Sequence, residues 1–543
     1  MNRTLILVLL ATTAIPSDAR RFYDDDPLQR EPAPRDASKA IRRKISDYYD
    51  FFQQTFAPPG EKQLPGKPIR AQAVNTLGEP MGGAWWEPRH YYKPMSIEEL
   101  ARGPGNENAP DMSGPWTVVK AKSEGVTPGF EFVDARKRRY VLKFDPLEYP
   151  EIATGPDVLV SKFFHALGYH VPQNYIVRFA RDQLVLGKDV QLADAQGKVR
   201  PMTERDITEL LLKVPRDSER RYRGGASLFL SGRPLGPYKY FGTRRDDPND
   251  IVPHENRLEL RGLSVFCAWL AHDDSRSINS LDMLVDGENG TKHIRHYLID
   301  FGSTLGSASY GPNSPRSGAE YVFEWAPAAK QFLTFGLWIP NWAKAKYPGI
   351  ASVGRFESKR FDAAGWVAEY PNPAFTNRLP DDAFWGAKQV MAFTDEQIRA
   401  VVKTGQYSDP RAEEWIVNAL IERRDKIGRA FYAGVLPIDR FEVRSGELAF
   451  DDLDARGRPA SSPGYVLESS PARAAKYRAR WAVFDNESER ASTIEGAATF
   501  RIPENSAEYL ACTITGAKPA QTVTVYLRRE ASGHRVVGVD RTW

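Results

Sequence analysis

Five side chains of this chain have the types and order that phosphoryl transfer requires. The run His272-Asp273-Asp274-Ser275-Arg276-Ser277-Ile278-Asn279 sets a carboxylate, a cation and an amide at fixed spacing. Asp300-Phe301-Gly302 follows about twenty residues later. Moving a phosphoryl group takes positioning and charge neutralisation more than covalent chemistry. Asp274 is the candidate base for the proton of an incoming hydroxyl. Asn279, five residues on, and Asp300 can offer an amide and a carboxylate oxygen to one divalent cation. Arg276 stands where a basic side chain can meet the phosphate in transit. The fifth residue, Lys143, lies in Val141-Leu142-Lys143-Phe144, a strand-like run that points its ammonium away from its apolar neighbours.

Such a lysine needs an acidic partner on the helix that follows. Asp157, at the start of the helical pattern DVLVSKFFHAL, is the first choice and Glu151 the alternative. Asp157 in that position also suits a first-turn helix acid. Gly125 and Gly129 bracket a turn whose backbone amides could approach phosphates, although taken alone a plain hairpin turn is the better reading. Neither a Walker A run, a Gly-x-Ser-x-Gly elbow nor a His-Glu-x-x-His motif is present. Two cysteines and eight scattered histidines speak against a zinc site. His293 and His296 read as polar surface.

The elements that must hold these groups follow from periodicity. Residues 116–119, 130–133 and 139–144 read as strands, 157–167 as a helix stopped by Gly168, and 175–177 as a further strand. Another strand-like run at 226–230 leads into Gly232, Pro234, Gly236 and Pro237, a connection between two lobes. Residues 256–272 form a buried helix that delivers the chain into the His272 run, and 281–285 with 296–299 form a hairpin that delivers Asp300. Ser38–Phe56 is expected to be helical, with Ile41, Ile45, Tyr48, Tyr49 and Phe52 on one face. Helices are expected at 204–212 and 412–433, and alternating strands from about residue 440 onward.

At 543 residues, with 41% apolar and 27% charged side chains, the chain is long enough for two or three soluble domains. A net charge of +4 over that length implies no nucleic-acid partner. Residues 1–19 combine Arg3, the apolar run TLILVLLATTAI and small residues up to Ala19, which is the pattern of a cleaved signal peptide; an uncleaved anchor is the alternative. The chain is therefore expected to be exported, to the periplasm or beyond, with no membrane span after cleavage. Cys267 and Cys512 are far apart, and Cys267 sits in an apolar helical pattern, so packing rather than a disulfide framework should stabilise the fold.

Lys143, the helix ending Phe163-Phe164-His165-Ala166-Leu167-Gly168-Tyr169-His170-Val171-Pro172, the His272–Asn279 loop and Asp300-Phe301-Gly302 together resemble the atypical protein-kinase-like superfamily. The bacterial and secretory branches, HipA-like, CotH-like and four-jointed-like, are the most similar. The resemblance spans about residues 115–310. It implies an α+β fold with a bilobal kinase-like domain, an N-lobe at 115–235 and a helical C-lobe at 236–438; the irregular N-terminal arm at 20–114 and the small all-β domain at 439–543 are read from the residue pattern and lie outside the resemblance. It also implies that Lys143 binds the phosphates of ATP or another nucleotide, that Asp274 is the base, and that Asn279 and Asp300 hold Mg or Mn. The acceptor would be a hydroxyl of a protein, glycan or small molecule. A non-catalytic scaffold and a nucleotidyl transferase are the other readings of such a fold. The chain departs from the superfamily in its Gly turn and in having no Ala-Pro-Glu run after Gly302.

Overall fold

The computed structural model of the chain describes residues 21–121, 129–193, 199–454 and 476–543. The expected signal peptide at 1–19 and Gly125 lie outside the described residues. Within them no helix is long and apolar enough to cross a membrane.

The fold is α+β, with three main cores. The first is a six-stranded sheet, in the order Asn174–Phe179, Tyr222–Leu228, Arg139–Lys143, Gly129–Val133, Trp116–Ala121 and Leu184–Leu186. All neighbours are antiparallel except the last pair. Alternation along these strands turns Trp116, Val118, Phe130, Phe132, Tyr140 and Leu142 to one buried face. Across that face Trp116 stacks on Phe132 with ring centroids 4.5 Å apart, and Phe132 on Tyr140 at 5.1 Å.

The second core is helical. Every residue of the helix Leu258–Leu270 is buried, because it is covered by Pro380–Val390 on one side and approached by Pro410–Tyr432 on another. Trp269 fills the centre and donates its Nε1–H to the carbonyl of Leu420 at 2.9 Å. The helix Thr154–Ala166 bridges the two cores: it touches the Asn174–Phe179 and Tyr222–Leu228 strands and buries Leu159, Val160, Phe163 and Phe164 in the helical core. The third core belongs to a five-stranded antiparallel sheet built from Arg478–Asp485, Arg490–Thr493, Tyr509–Thr515, Thr522–Glu530 and Gly533–Arg541, joined by the hairpin Ile438–Arg444 and Glu447–Asp452. Cys512 sits inside it and Cys267 inside the helical core, both as free thiols.

Several elements differ from the sequence expectation. The stretch 232–237 is more than a connection: Arg233–Gly236 pairs as the edge strand of Ser280–Asp286, which pairs in turn with Lys292–Leu298. Gly236 takes φ of +87°, and a Cβ there would stand 2.0 Å from the carbonyl oxygen of Arg43. The first helix begins only at Asp47, capped by Ser46. Upstream, Arg43 donates its backbone N–H to Leu235 and pairs its guanidinium with the buried Asp282, which holds the chain extended. The helix also faces the other way from its apolar pattern. Tyr48, Tyr49, Phe52 and Phe56 are exposed, whereas Asp50 and Gln54 are buried, because Tyr370 donates its hydroxyl to Asp50 at 3.2 Å. His296 is not surface: it is buried, stacked on Trp85 at 3.5 Å, and bonded through Nδ1 to Asp282 at 2.7 Å.

The 21–114 arm straps the cores together. Trp86 donates to the carbonyl of Leu167 at 2.8 Å, Phe22 packs on Phe484, Tyr509 and Tyr526 of the C-terminal sheet, and Val539 donates to Thr76 at 2.9 Å. At the junction of all three parts, the buried Lys388 ammonium bridges Glu79 of the arm and Asp439 of the β hairpin, the latter at 2.7 Å. Burial opposes ionisation of Asp439, but Lys388 and Arg541 outweigh it and hold its pKa below the usual range. Replacing Lys388 by Met leaves those carboxylates buried without their cation. The variant should lose roughly 3–5 kcal/mol in urea unfolding, and limited proteolysis should cut its arm faster than that of the parent chain. Equal stability would show that the ammonium is not what closes the strap.

Candidate active site

Lys143 ends its strand between two glycines: its cross-strand partners are Gly129 on one side and Gly225 on the other. Directly opposed residues share a face of a sheet, so the lysine stem stands uncrowded on the side toward the helix Thr154–Ala166. Its ammonium donates to Asp300 Oδ1 at 2.8 Å and lies 3.6 Å from Asp157 Oδ2. The alternative acid, Glu151, turns elsewhere: it accepts from the backbone N–H of Ser408 at 2.9 Å and faces Arg223 at 3.9 Å. Burial works against the Lys143 charge, yet Asp157 and Asp300 outweigh it, and the ammonium is held above its ordinary pKa. Burial raises the pKa of Asp157, while Lys143 and a 2.9 Å bond from the Phe301 N–H pull the other way.

The Asp300 backbone adopts φ of +61°, a left-handed conformation that Asp tolerates better than most residues. This turn separates two neighbours. Phe301 drops into the core, stacked on Phe164 at 5.2 Å and edge-on to His272 at 6.0 Å. The Asp300 carboxyl stays 41% exposed in the cleft. Lys143, Asp157, Asp300, Thr154, Gly302 and Ser309 line a cavity of about 10 Å³, room for about one water. Asp145 closes the base of this corner by accepting from the backbone N–H groups of Ala153 and Thr154 at 2.8 and 2.9 Å.

The His272 run leaves its helix through Ala271, which adopts φ of +48°. The loop is then tied to itself and to the hairpin. Asn279 donates its side-chain N–H to the carbonyl of Asp274 at 2.6 Å, and its own carbonyl accepts from Ile299 at 3.0 Å, one residue before Asp300. With its nitrogen committed, the amide oxygen of Asn279 is its remaining donor to a cation. Among the described residues no cluster of three His, Cys, Asp or Glu could hold a metal alone. A site of one carboxylate and one amide oxygen suits a hard divalent ion that takes its other ligands from substrate phosphates and water.

Arg276 is surrounded by carboxylates: Asp274, then Glu369 at 3.0 Å, and Asp47 of the arm at 3.3 Å. Desolvation is outweighed by these partners, and the guanidinium pKa is raised. Burial pushes Asp274 up to about 7, with Arg276 opposing and Asp273 adding to the rise. Asp273, pushed up to about 6 by burial, accepts from Ser317 and from Asn313 at 3.0 Å, and so anchors the segment after Gly302. The contributions of Asp47, Glu369, Asn313 and Ser317 carry no local sequence signal, because they reach the loop from 40 to more than 200 residues away.

No protein-family model matches the chain, and no curated protein does. Among solved structures, the Golgi casein kinase superposes with a TM-score of 0.27 and 8% identity over 62% of this chain and 72% of its own. A structure of the same kinase with Mn and ADP bound gives 0.26 and 8%, over 62% of this chain and 76% of its own.

The Asp274 pKa makes stability depend on pH in a defined direction. In the unfolded chain the carboxyl has its ordinary pKa near 3.8, and in the folded chain about 7. Between those values the folded state keeps a proton that the unfolded state releases, so this group's contribution to stability falls as pH rises from about 4 to about 7. Asp274→Asn should flatten that part of the curve in denaturant titrations, and a parallel decline in parent and variant would contradict the assignment.

Proposed function

We propose that this chain is an exported, atypical kinase-like phosphotransferase, moving a phosphoryl group from ATP or another nucleotide to a hydroxyl of a protein, glycan or small molecule. The observation that carries this reading is the meeting of Lys143, Asp157 and Asp300, from a strand, a helix and a loop, beside a catalytic-type loop that bonds Asn279 to Asp274. Export is supported by the composition of residues 1–19.

In this reading Lys143 exchanges its contact with Asp300 for the non-reacting phosphates and keeps Asp157. Asp300 and Asn279 would hold Mg or Mn, which supplies charge neutralisation when bound. Asp274 accepts the proton of the acceptor hydroxyl as the acceptor oxygen bonds to phosphorus and the bond to the leaving diphosphate breaks. A base with a pKa of about 7 is poised for that step near neutral pH. Arg276, held by three carboxylates, orients Asp274 and the acceptor side of the site. One feature favours a second reading: with Lys143 on Asp300, the cavity at the site is only about 10 Å³, which suits a scaffold that uses the fold without turnover.

Calorimetry of nucleotide binding with and without Mg or Mn, together with phosphate transfer from labelled ATP, separates the two. The proposed enzyme binds nucleotide in a cation-dependent way, and its rate rises with pH through about 7. Asp300→Ala should abolish the cation-dependent part of binding. Asp274→Asn should keep binding and lower turnover by about 10²- to 10⁴-fold. Cation-dependent binding with no transfer to any acceptor selects the scaffold, and absence of nucleotide binding removes the enzyme.

A further inference from the structure

We propose that the protein seats one face on an anionic phospholipid bilayer, with the segment around residues 325–339 inserted at the headgroup level. The inference is independent of phosphoryl transfer. The helix Trp325–Leu333 has none of its residues buried. On it and just beyond, Phe332, Leu333, Phe335 and Leu337 are 80, 74, 93 and 85% exposed. Isolated apolar side chains are ordinary on a protein surface, whereas a contiguous projecting set marks something it binds. Here the set extends further. Phe323 contacts Trp325 on one side and Phe56 on the other, each at 5.1 Å. That carries the patch onto the outward aromatic face of the helix Asp47–Phe56.

Charge identifies the occupant. Between residues 321 and 346 the charged side chains are Lys330, Lys344 and Lys346 against Glu324 alone. Lys39, Arg42 and Lys44, also exposed, precede the aromatic helix. Two residues after Ile339, Asn341 enters the wall of a cavity of about 430 Å³, which Lys359, Arg360, Lys426 and Arg429 also line, with Asp362 as the one carboxylate among its lining residues. Lys426 is fixed there by the carbonyls of Ser358, Lys359 and Phe361 at 2.6–3.1 Å, and Lys359 shares its ammonium with Glu422 at 3.0 Å. Apolar and aromatic side chains that project beside a cationic groove match the layers of a bilayer surface, acyl chains below and phosphates above. A second copy fits less well, since pairing the apolar segments would bring two like-charged grooves together.

The apolar run at 4–15 could itself hold the full chain to vesicles, so the readout must be local. Cys267 and Cys512 are buried, which lets an environment-sensitive dye be placed on Leu333→Cys, or on the exposed Val199→Cys, in a separate two-stranded sheet, as a control. With phosphatidylglycerol vesicles, the dye at 333 should shift to the blue and be quenched by brominated lipid, while the dye at 199 stays in water. Adding Lys359→Glu and Arg360→Glu should raise the lipid needed for half the shift at least about tenfold, and phosphatidylcholine vesicles should give a much weaker shift. A dye at 333 that stays in water on vesicles retaining the protein overturns the proposal. A blue shift that grows with protein concentration without lipid assigns the face to a second copy instead, and equal shifts on both lipids overturn its anionic character.

Discussion

An ammonium held between one buried carboxylate and one that opens to the cleft is the interaction on which the rest of this structure depends. Burial works against the Lys143 charge and Asp157 and Asp300 outweigh it, since removing an ion from water costs several kcal/mol unless partners restore the lost solvation. The three residues come from different elements: a sheet strand, the bridging helix and the loop after a hairpin. Their meeting therefore fixes the sheet against the helical core. The geometry that serves this is local and specific. Glycines flank the lysine on both sides, the helix places Asp157 in its first turn, and the left-handed backbone of Asp300 sends Phe301 inward while its own carboxyl faces the cleft.

Beside this corner the fold gathers carboxylates around the His272–Asn279 loop. Asp274, Glu369 and Asp47 surround a single guanidinium, Arg276, and Asp273 stands beside Asp274. Burial in that company keeps Asp274 partly protonated near neutrality, which is a different outcome from the fully ionised state that Asp439 keeps between Lys388 and Arg541. The contrast is a matter of partner count: Asp439 faces two cations, while Asp274 shares one with two other carboxylates. The N-terminal arm takes part in both settings, through Asp47 at the His272–Asn279 loop and through Glu79 at the Lys388 junction. It is thus part of the frame around both charge clusters rather than a decoration on it.

Much of the frame was legible beforehand. The strands at 116–121, 129–133 and 139–143 and the helix at 258–270 follow from alternation and from a continuous apolar run, signals that burial on one face or on all faces imposes directly. The helix at 47–56 was legible as a helix and misleading in its orientation. An apolar stripe states a preference for burial, but Tyr370 and Arg276 compete for the opposite face through Asp50 and Asp47, and the aromatic stripe was left outside. His296 misled for the converse reason: a histidine on a hairpin looks like surface until Trp85, from an arm about 200 residues earlier, covers it.

The sequence by itself determined which groups were available and the short-range order in which they occur. The spacing from Asp274 to Asn279 is a loop's length, and the step from Asp300 to Phe301 is a single peptide, so local chain geometry sufficed to bring those pairs together. Only the tertiary structure decided between Asp157 and Glu151, since both lie within reach of Lys143 along the chain and the choice depends on how the bridging helix docks against the sheet. The same holds for Asp47, Glu369 and Ser317 around the loop, and for Glu79 and Asp439 around Lys388. Electrostatic partners far apart in sequence leave no periodic trace, because what pairs them is the desolvation they share once the cores have closed.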